Sequence, residues 1–143
     1  INDGMGKYIA EQTIKQMIAN GSYVKGARVT VMGLTFKEDC ADIRNSKVLD
    51  IVAELESYGV EVFVHDPEAD SAEVLAELGV TLHAWDDLPR SDAIVAAVAH
   101  RKYRELGTDD LCRKIIRNGC FIDVKSVYDR DALTRCGLHV WRL

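Results

Sequence analysis

The stretch that decides the fold is Val29-Thr30-Val31-Met32-Gly33, a short apolar run rich in β-branched residues that ends in glycine. An amphipathic segment follows at residues 46–58, with apolar residues at helical spacing and with Gly59 after it. A second β-type run at residues 60–64 comes next and is closed by His65-Asp66-Pro67. This strand–helix–strand order predicts a right-handed βαβ unit with parallel strands.

The same alternation continues to the end of the chain. We predict helices at residues 70–78, 109–117 and 129–136. We predict strands at residues 80–82, 92–99, 120–124 and 138–141. The continuous apolar run at 92–99 is typical of a central strand that is covered on both faces. We therefore predict that residues 26–143 form an α/β, Rossmann-like, doubly wound parallel sheet. Residues 1–20 predict a helix without one narrow apolar stripe, which favours packing against more than one partner.

Composition narrows the class of protein. A length of 143 residues fits one domain, and 48% hydrophobic residues supply a core. The net charge of −5 disfavours a nucleic-acid partner, which requires a basic face. No apolar run approaches the roughly 18 residues of a membrane span, so no membrane partner is predicted. The chain begins Ile1-Asn2-Asp3, without an initiating methionine or a secretory leader, and we expect an excised fragment of a longer protein.

Cysteine spacing gives no metal site. The four cysteines form no CxxC pair, and none has a histidine at metal-ligand spacing; they are Cys40, Cys112, Cys120 and Cys136. We predict neither a structural metal nor a catalytic cysteine. Reduced thiols are consistent with a cytoplasmic protein.

The connection from Gly33 to Ser46 is the first place to seek a ligand, because ligands of open α/β sheets bind beyond the carboxyl ends of the strands. It has one glycine where a dinucleotide fold normally has G-x-G-x-x-G. Lys37, Arg44 and a helix start capped by Asn45 or Ser46 are together a combination that holds phosphate. The alternative is a surface loop in which the cations pair with its own acidic residues, and spacing leaves both interpretations open.

Three further polar residues follow predicted strands. Asp66 lies where a dinucleotide fold places its ribose-binding acid, but it also begins an Asp-Pro turn, and the turn is favoured. His100 follows the run at 92–99, and a capping or solvent-facing role is favoured over one facing the crevice. Lys125 follows the strand at 120–124 and either reaches a ligand or lies in solvent.

The segments Gly33-Leu34-Thr35-Phe36-Lys37 and Asp42-Ile43-Arg44-Asn45-Ser46 resemble a known pattern. They are similar to the G-x-x-F-K and T/C-x-D-x-R-x-S runs in the C-terminal, UDP-binding domain of the UDP-glucose/GDP-mannose dehydrogenase family. Ala97-Val98-Ala99-His100 and Asp123-Val124-Lys125 support the resemblance, which covers nearly the whole chain. The sequence around Lys37 resembles more closely that of the UDP-N-acetylhexosamine 6-dehydrogenase branch, which serves capsule or Vi-type polysaccharide biosynthesis.

The resemblance implies an architecture and a set of roles. The family oxidises C6 of a UDP-sugar to the uronic acid with NAD, using an NAD-binding domain, a central dimerising helical region and a UDP-binding domain. Residues 1–25 would be the end of the central region and residues 26–143 the UDP-binding domain. Phe36, Lys37 and Lys125 would contact the UDP-sugar substrate. Arg44 would reach the NAD cofactor held by the N-terminal domain.

The resemblance also implies what this chain lacks. The family's G-x-G-x-x-C-x-x-K-D motif with the catalytic cysteine is absent, and so is the glycine-rich NAD fingerprint. We therefore expect the chain to be inactive alone and to act within a cytoplasmic homodimer or higher homo-oligomer. The alternative is a non-catalytic, Rossmann-like regulatory or interaction module. Lys125 stands where UDP-glucose enzymes often have arginine, which leaves the sugar undecided.

Overall fold

The computed structural model describes residues 4–143 and contains one five-stranded sheet with helices on both faces. The strands are β1 Arg28–Met32, β2 Glu61–His65, β3 Ser91–Ala96, β4 Ile115–Asp123 and β5 His139–Arg142. The helices are α1 Met5–Ala19, α2 Val48–Ser57, α3 Ser71–Leu78, α4 Arg101–Arg104, α5 Thr108–Cys112 and α6 Arg130–Arg135, with a 3₁₀ turn at Trp85–Asp87. Residues 1–3 of the predicted first helix lie outside the described residues.

The sheet is parallel throughout, in the order β2-β1-β3-β4-β5. One isolated parallel bridge joins Val64 to Leu82 at its outer edge, and this bridge is all that forms of the strand predicted at 80–82. If Leu82 is counted as a rudimentary third strand, the order becomes 3-2-1-4-5-6, the doubly wound arrangement. The predicted fold class is confirmed. The strand order reverses between β1 and β3, which marks the crevice where such sheets bind ligands.

Two cores fill the two faces of the sheet, because successive side chains of a strand point to opposite faces. In β3, Ala93 and Val95 pack in the larger core with α1 and α2. Ile94 and Ala96 pack in the smaller core with α5 and α6. The central strand is therefore covered on both sides, as its unbroken apolar run predicts.

Helix α1 packs against α2 and against strands β3 and β4. This confirms that it has more than one partner. Its buried residues all belong to one side of the helix and include Ile9, Ile14 and Met17. At Gly6 a Cβ atom would lie 2.7 Å from Asp50 Cβ, so a glycine is needed where α1 meets α2.

The helix predicted at 109–117 is shorter than expected, since α5 ends at Cys112 and β4 already begins at Ile115. Ile115 pairs with Ser91, but Cys120 pairs with Ala93, so β4 carries three extra residues in a bulge. Asn118 has a φ of 67° within this bulge. Asn118 and Gly119, which follow the predicted helix at 109–117 and suit its end, belong instead to an irregularity in a strand, so the predicted end of that helix is wrong.

Candidate functional site

A cleft of about 680 Å³ opens at the carboxyl ends of β1 and β3, at the reversal of strand order. The starts of α1 and α2 form one side, and the connections that follow β1, β3 and β4 form the other. Its walls are largely apolar and include Ile9, Ile51 and Val98. The polar residues that line the cleft are Thr35, Lys37, Glu38, Asn45, Lys47 and Lys125.

The structure brings three of the four predicted site residues together. Phe36, Lys37 and Lys125 all line this cleft, although Lys125 comes from a different connection. Phe36 is 57% exposed, so its ring is accessible from the cleft. Within residues 4–143, neither Lys37 nor Lys125 has a carboxylate within ion-pair distance. Two lysine ammonium groups are therefore available to an anionic ligand.

Arg44 does not line the cleft. Its guanidinium binds the Asp42 carboxylate in a bidentate pair, with Nε–Oδ1 and Nη2–Oδ2 distances of 3.0 Å. The hydrogen bond from the Arg44 side chain lowers the pKa of Asp42 to about 2. The Arg44 side chain is 81% exposed, on the surface of the connection. The alternative of a surface loop whose cations pair with its own acidic residues thus holds for Arg44. It does not hold for Lys37.

The single glycine of the connection, Gly33, packs against the segment that follows β3. Gly33 has a φ of 98°, a region that side chains other than glycine rarely adopt. A Cβ atom there would lie 2.5 Å from Val98 Cβ. The carbonyl of Met32 accepts the N–H groups of Ala97 and Val98 at 3.0 and 3.2 Å. These contacts bring the two strand ends together beneath the cleft.

Helix α2 begins at the cleft. Ser46 Oγ accepts the Val48 N–H at 3.3 Å and donates to the Leu34 carbonyl at 2.6 Å. The N-cap of α2 is Lys47, so the predicted cap at Asn45 or Ser46 is wrong in position, although Ser46 does accept the first N–H of the helix. Asn45 has a left-handed φ of 59° and lines the cleft. The N-terminal N–H groups of a helix carry partial positive charge and favour an anion.

Asp66 is buried beneath the connection that follows β1. Its two oxygens accept five hydrogen bonds of 2.6 to 3.1 Å, from the N–H groups of Leu34, Thr35, Glu68 and Ala69 and from His100 Nε2. Burial raises the pKa of Asp66, but the bonds from His100 and from the backbone outweigh it and leave the pKa below its usual value. Asp66 serves the turn at Glu68, as favoured from the sequence. It is also enclosed, so it does not present an oxygen to a ribose.

His100 is fully buried, so the favoured solvent-facing role is wrong. It precedes α4, but its ring makes no cap bond to that helix. Nδ1 accepts the Asp39 N–H at 2.9 Å, so the proton of the neutral ring lies on Nε2. Nε2 lies 3.0 Å from Asp66 Oδ2 and 3.2 Å from Thr35 Oγ1. Sequence reasoning missed these contacts, and the only signal was that Asp66 and His100 each follow a strand.

Residues 4–143 offer neither a metal-binding cluster nor a membrane-spanning helix. In this part of the chain no group of three or more His, Cys, Asp or Glu side chains is arranged to hold a metal ion. No helix there has the length and apolar character needed to cross a membrane. All four cysteines are free thiols, and burial raises the pKa of Cys120 to about 11.

Comparison with known proteins gives matches over most of the chain. Residues 30–130 match the model of the UDP-glucose/GDP-mannose dehydrogenase family, UDP binding domain. Protein CapL of Staphylococcus aureus is 41% identical over 143 residues, covering 100% of this chain and 33% of that protein. UDP-N-acetyl-D-glucosamine 6-dehydrogenase of Pseudomonas aeruginosa is 39% identical over 131 residues, covering 92% of this chain and 31% of that enzyme.

Solved structures share the fold. The NDP-N-acetyl-D-galactosaminuronic acid dehydrogenase of Methanosarcina mazei Go1 superposes with a TM-score of 0.86 at 24% identity. The superposition covers 99% of this chain and 29% of that one. The chain spans about a third of the length of the curated relatives it matches.

Proposed function

The chain belongs to the UDP-glucose/GDP-mannose dehydrogenase family through its UDP-binding domain, and on that premise we propose that the cleft beside β1 and β3 holds the UDP part of a UDP-sugar. The observation that carries the proposal is the pair of lysines, Lys37 and Lys125, that line the cleft without ion-pair partners in residues 4–143. The start of α2 at the same cleft adds N–H groups that favour an anion.

Each side chain has a role in this proposal. The ammonium groups of Lys37 and Lys125 bind the negatively charged diphosphate, and each charge-assisted hydrogen bond contributes about 1.5–3 kcal/mol. The exposed ring of Phe36 packs against the nucleotide sugar, since aromatic rings supply a large apolar contact area. Arg44 faces outward and reaches NAD on another domain of the full-length protein, exchanging its bond to Asp42 for that contact.

The full-length protein is, in this proposal, an NAD-dependent UDP-N-acetylhexosamine 6-dehydrogenase. The P. aeruginosa relative, a UDP-N-acetyl-D-glucosamine 6-dehydrogenase by name, supports this substrate class. The enzyme forms the uronic acid for polysaccharide biosynthesis in the cytoplasm, as a homodimer or higher homo-oligomer. Residues 26–143 bind and orient the substrate, residues 1–25 end the central helical region, and NAD and the catalytic cysteine lie elsewhere. The chain alone is inactive.

Binding of UDP tests the role of the cleft. We expect isothermal titration of the 143-residue chain to detect UDP, and Lys37→Ala and Lys125→Ala each to weaken binding by about ten- to a hundredfold. Lys15→Ala, on the exposed side of α1, is the matched control and should leave the affinity unchanged. Equal UDP affinity in the parent and Lys37→Ala would refute the proposal, as would binding of UDP no tighter than that of inorganic phosphate.

Turnover tests the activity of the full-length protein. We expect NAD+-dependent oxidation of UDP-N-acetylhexosamines in preference to UDP-glucose, with UDP-GlcNAc and UDP-ManNAc assayed separately. Arg44→Ala should raise KM for NAD+ more than KM for the sugar nucleotide. Absence of turnover with all three nucleotides would instead support a non-catalytic module.

A further inference from the structure

We infer that three buried residues, Asp66, His100 and Thr35, form a tether that fixes the position of Lys37 in the cleft and thereby sets its affinity for a diphosphate. The inference rests on the proposed function for its ligand. All three residues are buried, and the side chains of Asp66 and His100 have no exposed surface. Asp66 and His100 also lie outside the lining of the cleft, so they act through the connection and not by contact with a ligand.

The topology explains why these residues meet. Strand β1 lies between β2 and β3 in the sheet. Asp66 follows β2 and His100 follows β3, so the two side chains reach the connection after β1 from both neighbouring strands. Their hydrogen bond, 3.0 Å between Asp66 Oδ2 and His100 Nε2, spans the space beneath that connection.

Two hydrogen bonds to the backbone, one at Asp39 and one at Lys37, determine which atoms of His100 and Thr35 donate and which accept. The Asp39 N–H donates to His100 Nδ1, so Nε2 carries the proton and donates. The Thr35 hydroxyl donates to the Lys37 carbonyl at 2.9 Å, so its oxygen accepts from Nε2. The single Nε2 proton is shared in a three-centre hydrogen bond between Asp66 Oδ2 at 3.0 Å and Thr35 Oγ1 at 3.2 Å. An ordered path therefore runs from His100 through the Thr35 hydroxyl to the backbone of Lys37.

The tether holds the connection on both sides of Lys37. Before it, the N–H groups of Leu34 and Thr35 donate to Asp66. After it, Asp39 donates to His100, and the Asp39 carboxylate accepts the Arg101 N–H at 2.7 Å. Asp39 has a left-handed φ of 56°. Lys37 therefore projects into the cleft from a backbone held at both ends, and a held backbone lowers the entropy lost when a ligand binds.

A double-mutant cycle tests whether the tether acts through Lys37. Thr35→Val removes the hydroxyl at nearly constant shape, and we expect UDP affinity to fall by about two- to tenfold. Thr35→Ser keeps the hydroxyl and should restore binding to that of the parent. In a Lys37→Ala background, Thr35→Val should have no further effect, because the group that the tether positions is already gone. An equal loss in both backgrounds would overturn the inference, since it would show a general structural effect.

Amide hydrogen exchange tests the tether without a ligand. His100→Gln keeps a donor near the position of Nε2 but loses the acceptor for Asp39, whereas His100→Asn keeps an acceptor near Nδ1. We expect the Asp39 amide to exchange faster in His100→Gln than in His100→Asn, with the amides of β1 unchanged as the internal control. Unchanged exchange at Asp39 in both variants would overturn the inference. If the parent does not bind UDP, the proposed function fails while this measurement still decides whether the tether exists.

Discussion

The backbone at Gly33 is subject to two constraints, a left-handed φ and a crowded Cβ position. Its φ of 98° is strained for any residue with a Cβ atom, and the space that such an atom would occupy is already filled by Val98. Gly79, which ends α3 with a φ of 68°, has the first constraint without the second, since no atom lies within 4 Å of its Cβ position. Substitution of Gly79 by alanine therefore measures backbone strain alone, whereas the same substitution at Gly33 measures strain together with steric overlap.

We expect Gly33→Ala to lower the free energy of unfolding by about 2–5 kcal/mol, since left-handed strain costs about 1–2 kcal/mol and overpacking about 1–3 kcal/mol. Gly79→Ala should lower the free energy of unfolding only by the cost of left-handed strain, about 1–2 kcal/mol. Urea unfolding followed by circular dichroism measures both. Equal losses in the two variants would contradict the contact with Val98.

The charge of Asp66 makes a prediction about pH. Hydrogen bonds keep its pKa below the usual value, so its stabilising contribution is present above about pH 4, the pKa of an unfolded aspartate, and is lost as pH falls through the lower folded pKa. Asp66→Asn should lower stability at pH 7 by about 2–5 kcal/mol, because an amide NH₂ would face buried N–H donors.

The control for this prediction is Asp129→Asn. Asp129 caps α6 from an exposed position, and asparagine caps a helix equally well, so the change should be below about 0.5 kcal/mol. The acid-induced loss of stability should be smaller in Asp66→Asn than in the parent. An Asp66→Asn variant with parental stability at pH 7 and the parental pH profile would contradict the role given to the buried carboxylate.

The sequence was a good guide to which residues face the cleft and a poor one to what holds them. Lys37 and Lys125 follow predicted strands, and parallel strands end at one edge, so their convergence follows from the predicted fold. Phe36 is assigned to the same site only by the family resemblance. The contact between Asp66 and His100 depends on β1 lying between β2 and β3, which no local pattern specifies. Their burial could therefore be predicted only once the strand order was known.

At the level of elements, periodicity predicted most of the longer helices and strands. It failed at residues 113–117, where charges that suit a helix dipole precede Asn118-Gly119. The pair Ile115-Ile116 is β-branched and joins the start of β3 through Ser91, so sheet pairing outweighed the helical charge order. An Asn-Gly pair is compatible with either a helix end or a bulge, and only the register distinguishes them.

The junction of α1 and α2 gives an element-scale prediction. Alanine normally stabilises a helix relative to glycine by about 1 kcal/mol, but a Cβ at Gly6 would lie 2.7 Å from Asp50 Cβ, close to the rigid backbone of α2. We expect the overlap to outweigh this gain, so that Gly6→Ala lowers the unfolding free energy by a net amount of about 1–2 kcal/mol. UDP affinity should fall too, because both helices line the cleft.

Lys7→Ala is the matched control for Gly6→Ala, since Lys7 lies one residue further along α1 and is exposed. A surface change of this kind should alter the unfolding free energy by less than about 0.5 kcal/mol. The measurement is urea unfolding together with titration of UDP. A more stable Gly6→Ala variant would mean that helix propensity outweighs the contact with Asp50.

At the scale of the whole molecule, α1 completes both the larger core and the cleft. Ile9 belongs to the core and also lines the cleft, and Met5 and Gly6 line it as well. The proposed boundary near residue 25 separates the end of the central helical region from the UDP-binding domain of the longer protein. In this structure, however, α1 and the sheet domain pack into one core. A test of this point requires removal of α1 as a unit.

We expect the variant that lacks residues 1–25 to lose cooperative unfolding. Burial of Ile9, Ile14 and Met17 contributes about 1.5–3 kcal/mol each, which together approaches the roughly 5–15 kcal/mol that stabilises a domain. Loss of α1 also uncovers the apolar face of α2. Tyr23→Ser, at a side chain that is 90% exposed, is the control and should unfold like the parent in urea. If residues 26–143 unfolded with the parental midpoint and bound UDP with parental affinity, α1 would be dispensable to both core and cleft, contrary to the packing of Ile9 in each.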